Sequence, residues 1–287
     1  MENLSLLPPE QQAAILDGPA LTPPGGIVPN FDNPPNNNRV AYATLAICLC
    51  ASSLAVCIRA CSRLFVVKAV RLEDILAVAG FGTYVGYIYL NYWLLVNFGF
   101  FVHQWDIQVK NLSPILYHIY VGGSLYGVTV GLVKFAVLKE WSRIFVPWPT
   151  RNIFWWTCHA LIFFNVAFYS AGLFVGNLAC IPREKIWDKT IPGGKCIDAK
   201  VSDLSASIVN VTSDLLILVL PQRIIWKLKM PLKKKIGVSL IFTIGVLACL
   251  SAAFRLSVTI ICGDDLHVSG VLYAGSAEGV RRQWARI

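Results

Sequence analysis

Six long apolar runs, separated by short polar segments, dominate the chain. They cover residues 40–60, 74–98, 115–139, 152–178, 203–225 and 236–262. A helix needs roughly 20 residues to cross a hydrocarbon core about 30 Å thick, and each run reaches that length. We therefore predict an all-α, polytopic bundle with six membrane-spanning helices.

The two ends of the chain follow other patterns. Residues 1–38 are rich in proline and include a PPNNN stretch, with no basic segment leading into an apolar one. They predict a disordered extracellular tail and no signal peptide. Residues 267–280 are apolar but too few to span alone. We expect residues 263–287 to be a partial seventh helix or an aberrant C-terminus, shortened by truncation or by a mis-joined exon.

The composition supports a membrane protein. Hydrophobic residues make up 56% of the chain and charged residues 14%, and the mean hydropathy is +0.60. Soluble domains carry roughly 25% charged residues. The formal net charge of +9 does not indicate nucleic acid, because the basic residues cluster between the apolar runs. In that position they set the orientation of the spans.

The distribution of lysine and arginine predicts an outside N-terminus, and we expect the plasma membrane as the location. Residues 59–71 and 139–151, which follow the first and third spans, are basic, whereas residues 180–203 balance five basic residues with four acids. Short cytoplasmic loops carry the excess of basic residues. The linker after the fifth span is the most basic and holds no acid: Arg223, Lys227, Lys229, Lys233, Lys234 and Lys235. It is the candidate coupling surface for a cytoplasmic signalling partner, although fixing orientation and touching anionic lipid would explain it equally.

Cys180 and Cys196 are the only cysteines of the loop after the fourth span, and they lie 16 residues apart. On the outer face they predict a disulfide, which stabilises by about 3 kcal/mol in the loop-entropy model. The remaining cysteines lie in or beside spans, where small apolar packing is the usual role.

Two charged residues fall inside predicted spans at similar depths. Lys134 lies about six residues before the inner end of the third span, and Asp214 about eight to ten residues before that of the fifth. A Lys134–Asp214 pair would spare the membrane two unpaired charges. Alternatively, Lys134 snorkels to the interface or pairs with Glu73 or Asp74, at the inner end of the second span.

Two further polar residues fall inside spans. Arg255 lies near the outer end of the sixth span, roughly 15 Å too far along the normal to meet Asp214. We expect it to snorkel outward or to pair with a loop acid. Asn210 is expected to bridge helices.

The chain shows no pattern of an enzyme or of a cofactor site. Its four histidines are scattered, and no nucleophile–base arrangement or phosphate-binding glycine loop is present. No paired cysteine or histidine spacing indicates a metal. A retinal Schiff base needs a lysine in the last helix, and no lysine follows Lys235. We predict a protein that is not an enzyme and has no cofactor.

Several stretches together resemble the fungal rhodopsin-like integral membrane protein family, which includes the Pth-type G-protein-coupled-receptor-like proteins of filamentous fungi. They are RLEDILAVAG at 71–80, FGFFVHQWDI at 98–107, LVKFAVLKEWSRIF at 132–145, CIPREKIWDKTIPGGKC at 180–196, NVTSDLLILVLPQRIIWKLKMPLKKKIGV at 210–238 and AAFRL at 252–256. The resemblance implies a seven-helix, receptor-like membrane domain, and it does not imply retinal. We assign the rhodopsin-like transmembrane domain to residues 39–262.

Three hypotheses about function follow. The first is a receptor-like sensor that couples an unknown extracellular ligand to the basic cytoplasmic linkers. The second is a small-solute or proton transporter or channel, with Asp214 and Lys134 in a polar pathway. The third is a non-signalling, truncated paralogue, suggested by residues 263–287. All three place the chain in the lipid bilayer.

Overall fold

A computed structural model describes residues 7–23, 28–100, 102–146, 152–227, 243, 245–247, 249–254 and 256–257, without the side chains of residues 200 and 222–227. The predicted C-terminal segment, 263–287, lies outside the described residues, as do Arg255, Lys229, Lys233, Lys234 and Lys235. The side chains of Arg223 and Lys227 lie outside them as well.

Helices make up most of the described chain. A short helix, α1, precedes five long ones: α1 Pro9–Asp17, α2 Asn38–Cys61, α3 Leu72–Asn97, α4 Val109–Phe145, α5 Ile153–Asn177 and α6 Ala199–Lys227. Helix α2 continues as a π-helical segment, Ser62–Val67, which ends at a left-handed Lys68. Strands β1 Cys180–Ile181 and β2 Lys195–Cys196 form the one sheet found among the described residues. The first five predicted spans therefore coincide with α2 to α6.

Four segments are both long enough and apolar enough to cross a membrane: 38–67, 109–145, 153–177 and 201–221. Helix α3 has the length, at 26 residues, but four tyrosines and Asn91 lower its hydropathy. Large apolar side chains such as Ile47, Phe163 and Phe174 are exposed along α2 and α5, as expected for helices that contact lipid. The chain is a helical, multi-pass membrane protein. In the sixth predicted span, the described residues 245–247, 249–254 and 256–257 are helical.

Helix α4 is the centre of the bundle. It packs against α3 on one side and α5 on the other, and it also contacts α6. One buried apolar cluster lies near its N-terminus and includes Leu94, Ile107 and Ile115. A second lies near its C-terminus, where Leu138 meets Ile162 of α5 and Ile217 of α6.

The bundle has two distinct ends. We call one the disulfide end, since it holds the start of α2, the α3–α4 connection and the α5–α6 connection with its disulfide. We call the other the ion-pair end. There the end of α2, the start of α3 and the end of α4 meet through charged side chains.

The N-terminal segment differs from the disordered tail predicted for residues 1–38. It contains α1 and docks on the start of α4. The amide of Ala20 donates to the carbonyl of Ile107 (2.8 Å), and the amide of Val109 donates to the carbonyl of Gly18 (3.0 Å). Lys110 and Asp17 form an ion pair of 2.8 Å. Composition does not reveal this docking, because backbone hydrogen bonds and an exposed ion pair hold the segment.

Candidate functional site

Six polar side chains meet between three helices inside the bundle, and we call this set the polar junction. The two residues on α5 are four apart, and on α6 two residues follow the first by three and four positions, so each set shares one face of its helix. Helix α4 contributes one, α5 two and α6 three: Lys134, Asn165, Tyr169, Asn210, Ser213 and Asp214.

Lys134 connects α4 to α6. Its Nζ lies 3.0 Å from Oδ1 of Asp214. The same nitrogen donates to Oδ1 of Asn210 (2.8 Å) and to its backbone carbonyl (3.2 Å). It also lies 5.6 Å from the ring centroid of Tyr169. With 7% of its side chain exposed, Lys134 points into the bundle, in contrast to the snorkelling alternative.

Helix α5 joins the junction through two hydrogen bonds that the sequence pattern does not predict. The hydroxyl of Tyr169 donates to Oδ1 of Asn210 (2.7 Å). The hydroxyl of Ser213 donates to Oδ1 of Asn165 (2.7 Å), and both residues are buried. Asn165 and Tyr169 lie four residues apart in an apolar run, and this spacing is the feature of the sequence that could have indicated a polar contact of α5 with a neighbouring helix.

The side chains of the junction join helices through contacts whose strength depends on charge and geometry. It contains no activated nucleophile, and no group of three or more metal-ligating side chains occurs among the described residues. A charged pair in a low-dielectric bundle is strong when well aligned and costly when one partner is lost. The arrangement therefore holds α4, α5 and α6 in one register.

A second group of charges, which we call the ionic network, lies at the ion-pair end. Arg59 and Arg63, from α2 and its π-helical extension, each contact Asp74 of α3 and Glu140 of α4. The nitrogen–oxygen distances are 2.9 and 3.1 Å to Asp74, and 2.8 and 2.7 Å to Glu140. Asp74 also accepts the backbone amide of Arg71 (3.1 Å), which caps the start of α3. The network links three helices.

Glu73 forms an ion pair with Arg143 beside this network. Glu73 and Asp74 are both buried, and arginines satisfy both. Neither pairs with Lys134, which the sequence allowed as an alternative.

The predicted disulfide is present and closes the loop at the disulfide end. Cys180 and Cys196 are bonded and face each other across β1 and β2. Arg183 in this loop donates to the hydroxyl of Tyr120 and to Oδ1 of Asn177, both at 3.1 Å. The hydrogen bond to Tyr120 raises the pKa of Arg183. The loop is thereby fixed to α4 and α5.

A protein-family model matches most of the chain. Residues 58–267 match the fungal rhodopsin domain, a range that contains the polar junction, the ionic network and the disulfide. The chain belongs to the fungal rhodopsin domain family. The resemblance found in the sequence is thus confirmed, and the absence of retinal stays a prediction.

The chain is similar to three curated proteins. The chain is 42% identical over 261 residues to "Fugralins biosynthesis cluster protein 2" of Gibberella zeae, covering 90% of this chain and 64% of that protein. It is 37% identical over 158 residues to a "SAT4 family membrane protein" of Emericella nidulans, covering 55% and 41%. It is 26% identical over 240 residues to "Receptor GIN3" of Arthrobotrys oligospora, covering 82% and 56%.

The chain spans less than two thirds of the length of each of these three relatives. No solved structure matches it.

Proposed function

We propose that this chain is a non-catalytic, receptor-like sensor whose polar junction couples the disulfide end to the ion-pair end. The observation that carries the proposal is the contact of Lys134 with both Asn210 and Asp214. It attaches α6 to its neighbours by polar contacts inside an otherwise apolar bundle. The similarity to "Receptor GIN3" supports the same class.

Polar contacts of this kind suit a two-state element. A small rotation of α6 would move Asn210, Ser213 and Asp214 together, because all three lie on one face of that helix. Several hydrogen bonds would then break at once, so intermediate positions are unfavourable. A stimulus that favours one arrangement needs only a few kcal/mol of differential affinity to shift the population.

The proposed topology has six spans with the N-terminus outside the cell, in the plasma membrane. The disulfide supports it, since disulfides persist in oxidising compartments. The basic linker, residues 222–236, whose first part is the end of α6, then faces the cytoplasm and contacts a signalling partner, with an extracellular ligand acting at the disulfide end. Anionic lipid is the competing occupant of that linker.

The test replaces the unknown stimulus by a substitution at the junction. In nanodiscs, we expect Asp214→Asn to increase amide hydrogen exchange in residues 222–236, because the Lys134 contact no longer holds α6. Exchange in residues 102–119, at the disulfide end, should change as well, because the junction is proposed to couple the two ends. Lys110→Ala, which removes an exposed ion pair on the same helix as Lys134, serves as the control and should leave exchange in residues 222–236 unchanged.

A transporter or channel is the second candidate, favoured by a Lys–Asp pair inside the helix bundle of a membrane protein. Proton flux into pyranine-loaded vesicles distinguishes the transporter from the sensor. The sensor hypothesis expects proton flux equal to that of protein-free vesicles. It would be overturned by flux that Asp214→Asn abolishes, or by an exchange response confined to the junction itself.

A further inference from the structure

The disulfide end contains a polar cavity that lies apart from the polar junction. Its volume is about 250 Å³. One wall is the segment that leads into α2, residues 31–38, and the other is the α3–α4 connection with its flanking turns, residues 97–111. At roughly 30 Å³ per water in the liquid, the cavity has room for about eight waters, or for a small organic molecule.

The N-terminal segment is held over this cavity by contacts on several sides. The amide of Asn30 donates to Oδ1 of Asp106 (2.9 Å). The amide of Phe100 donates to Oδ1 of Asn38 (2.8 Å). The docking of Gly18 and Ala20 on residues 107–109 fixes the preceding part of the segment. The cavity is therefore bounded by two parts of the chain, and a ligand inside it would contact both.

The lining is acidic and rich in amides. Six lining residues are asparagine or glutamine, and two are aspartate, Asp32 and Asp106. None of the described residues that line it is basic. The nearby lysine, Lys110, is paired with Asp17. Asp106 is 6% exposed, and a buried carboxylate is stabilised by an opposite charge. The cavity thus favours a cation.

Two aromatic residues, Phe31 and Phe98, also line the cavity. Aromatic faces attract organic cations, and they attract them more strongly when the cation is partly desolvated. Amide oxygens accept hydrogen bonds from ammonium N–H groups. Carboxylates, amide oxygens and aromatic faces in one cavity form a set that suits a protonated amine better than a neutral or anionic molecule.

We propose that this cavity binds a small organic ammonium ion, a primary amine or diamine of a few carbons. Asp106 and Asp32 supply the opposite charge, the amide side chains accept the N–H hydrogen bonds, and Phe31 and Phe98 pack against the carbon chain. The site joins the N-terminal segment to the α3–α4 connection. Binding is measured without any signalling readout, so it succeeds or fails independently of the proposed function.

The experiment is calorimetric titration of the full chain in nanodiscs. The probes are butylammonium and protonated putrescine, with butanol and butyrate as neutral and anionic controls of matched size, and calcium chloride as an inorganic cation. We expect the two amines to bind and the two controls not to bind. Asp106→Asn keeps the oxygen that accepts the Asn30 amide and should weaken amine binding at least tenfold.

A second variant and a control keep the result interpretable. Asp32 is exposed, so Asp32→Asn should fold normally and still weaken amine binding several-fold. Glu184→Gln removes an exposed acid at the same end that does not line the cavity, and it should leave affinity unchanged. Equal binding of butanol or butyrate, unchanged affinity in both aspartate variants, or binding of calcium alone would each overturn the proposal.

Discussion

Lys134 shows how a single charged side chain is accommodated inside an apolar bundle. A lysine at the centre of a membrane helix costs about 2.5–3.5 kcal/mol on insertion scales. Extension to the interface or an internal partner can each reduce that cost. Lys134 takes the second route, since Nζ has an acid at 3.0 Å and an amide oxygen at 2.8 Å. Its charge is thereby tied to the position of α6.

This arrangement predicts coupling between Lys134 and Asp214. Asp214→Ala leaves a buried ammonium with only Asn210 as its hydrogen-bond partner among the described residues. We expect it to lower the free energy of unfolding by about 3–5 kcal/mol, the cost of leaving a buried charge without its charged partner. Lys134→Ala removes the ammonium, so the double variant should recover part of that loss, with a coupling energy of about 1 kcal/mol or more.

Denaturant titration in mixed micelles measures each free energy of unfolding. The matched control combines Asp214→Ala with Lys110→Ala. Lys110 lies 24 residues from Lys134 on the same helix, or about 36 Å along its axis at 1.5 Å per residue. That pair of losses should add. Additive losses for the Lys134 and Asp214 variants would remove the basis for their coupling.

Residue-level pairing was only partly predictable from the sequence. Lys134 and Asp214 were paired because their depths follow from counting residues along two spans. Tyr169 and Ser213 were not assigned, since a hydroxyl in an apolar run has no depth or charge signal that singles it out. Whether it faces a neighbouring helix depends on the rotation of each helix, which packing sets.

At the scale of elements, the ionic network joins helices that are distant in sequence. Glu140 is 81 residues from Arg59 and 77 from Arg63, and it contacts both. Loop-by-loop counting reads Arg59 and Arg63 as orientation signals. The structure adds a second role, because both arginines also hold α2 against α3 and α4.

We predict that Glu140→Gln loosens the end of α2. Losing this carboxylate should cost about 1–2 kcal/mol, since hydrogen bonds to charged groups contribute on that order. The expected result is about tenfold faster amide exchange in residues 59–67. Asp74 is a poorer target, because its carboxylate also caps α3 and its replacement would confound the two effects.

Lys139→Gln is the control for this measurement. It changes a charge on the same turn of α4, and the structure shows no ion pair for Lys139 among the described residues. Exchange in residues 59–67 should then stay unchanged. Equal effects of the two variants would mean that net charge matters at this end and the specific contacts of Glu140 do not.

At the scale of the whole molecule, the helices were the most predictable feature. Apolar runs of membrane length placed α2 to α6 within a few residues, except that α4 begins six residues earlier and ends six later than expected. The N-terminal segment was not predictable in the same way. Its docking uses backbone groups of residues 18–20, which every sequence carries and which composition therefore does not distinguish.

The orientation of the molecule is the last prediction, and it links both ends. Residues 3–5 read Asn-Leu-Ser, a glycosylation motif in the N-terminal segment. If the disulfide end is outside, Asn3 should be glycosylated in yeast expression, and Asn3→Gln should remove the shift in mobility that this motif contributes. In that background, Lys233→Asn with Lys235→Thr creates the same motif in the basic linker, which should stay unmodified because it faces the cytoplasm. Glycosylation of the linker in place of Asn3 would show that the protein has the opposite orientation in the membrane. The amine cavity and the disulfide would then face the cytoplasm, where neither an extracellular ligand nor oxidising conditions reach them.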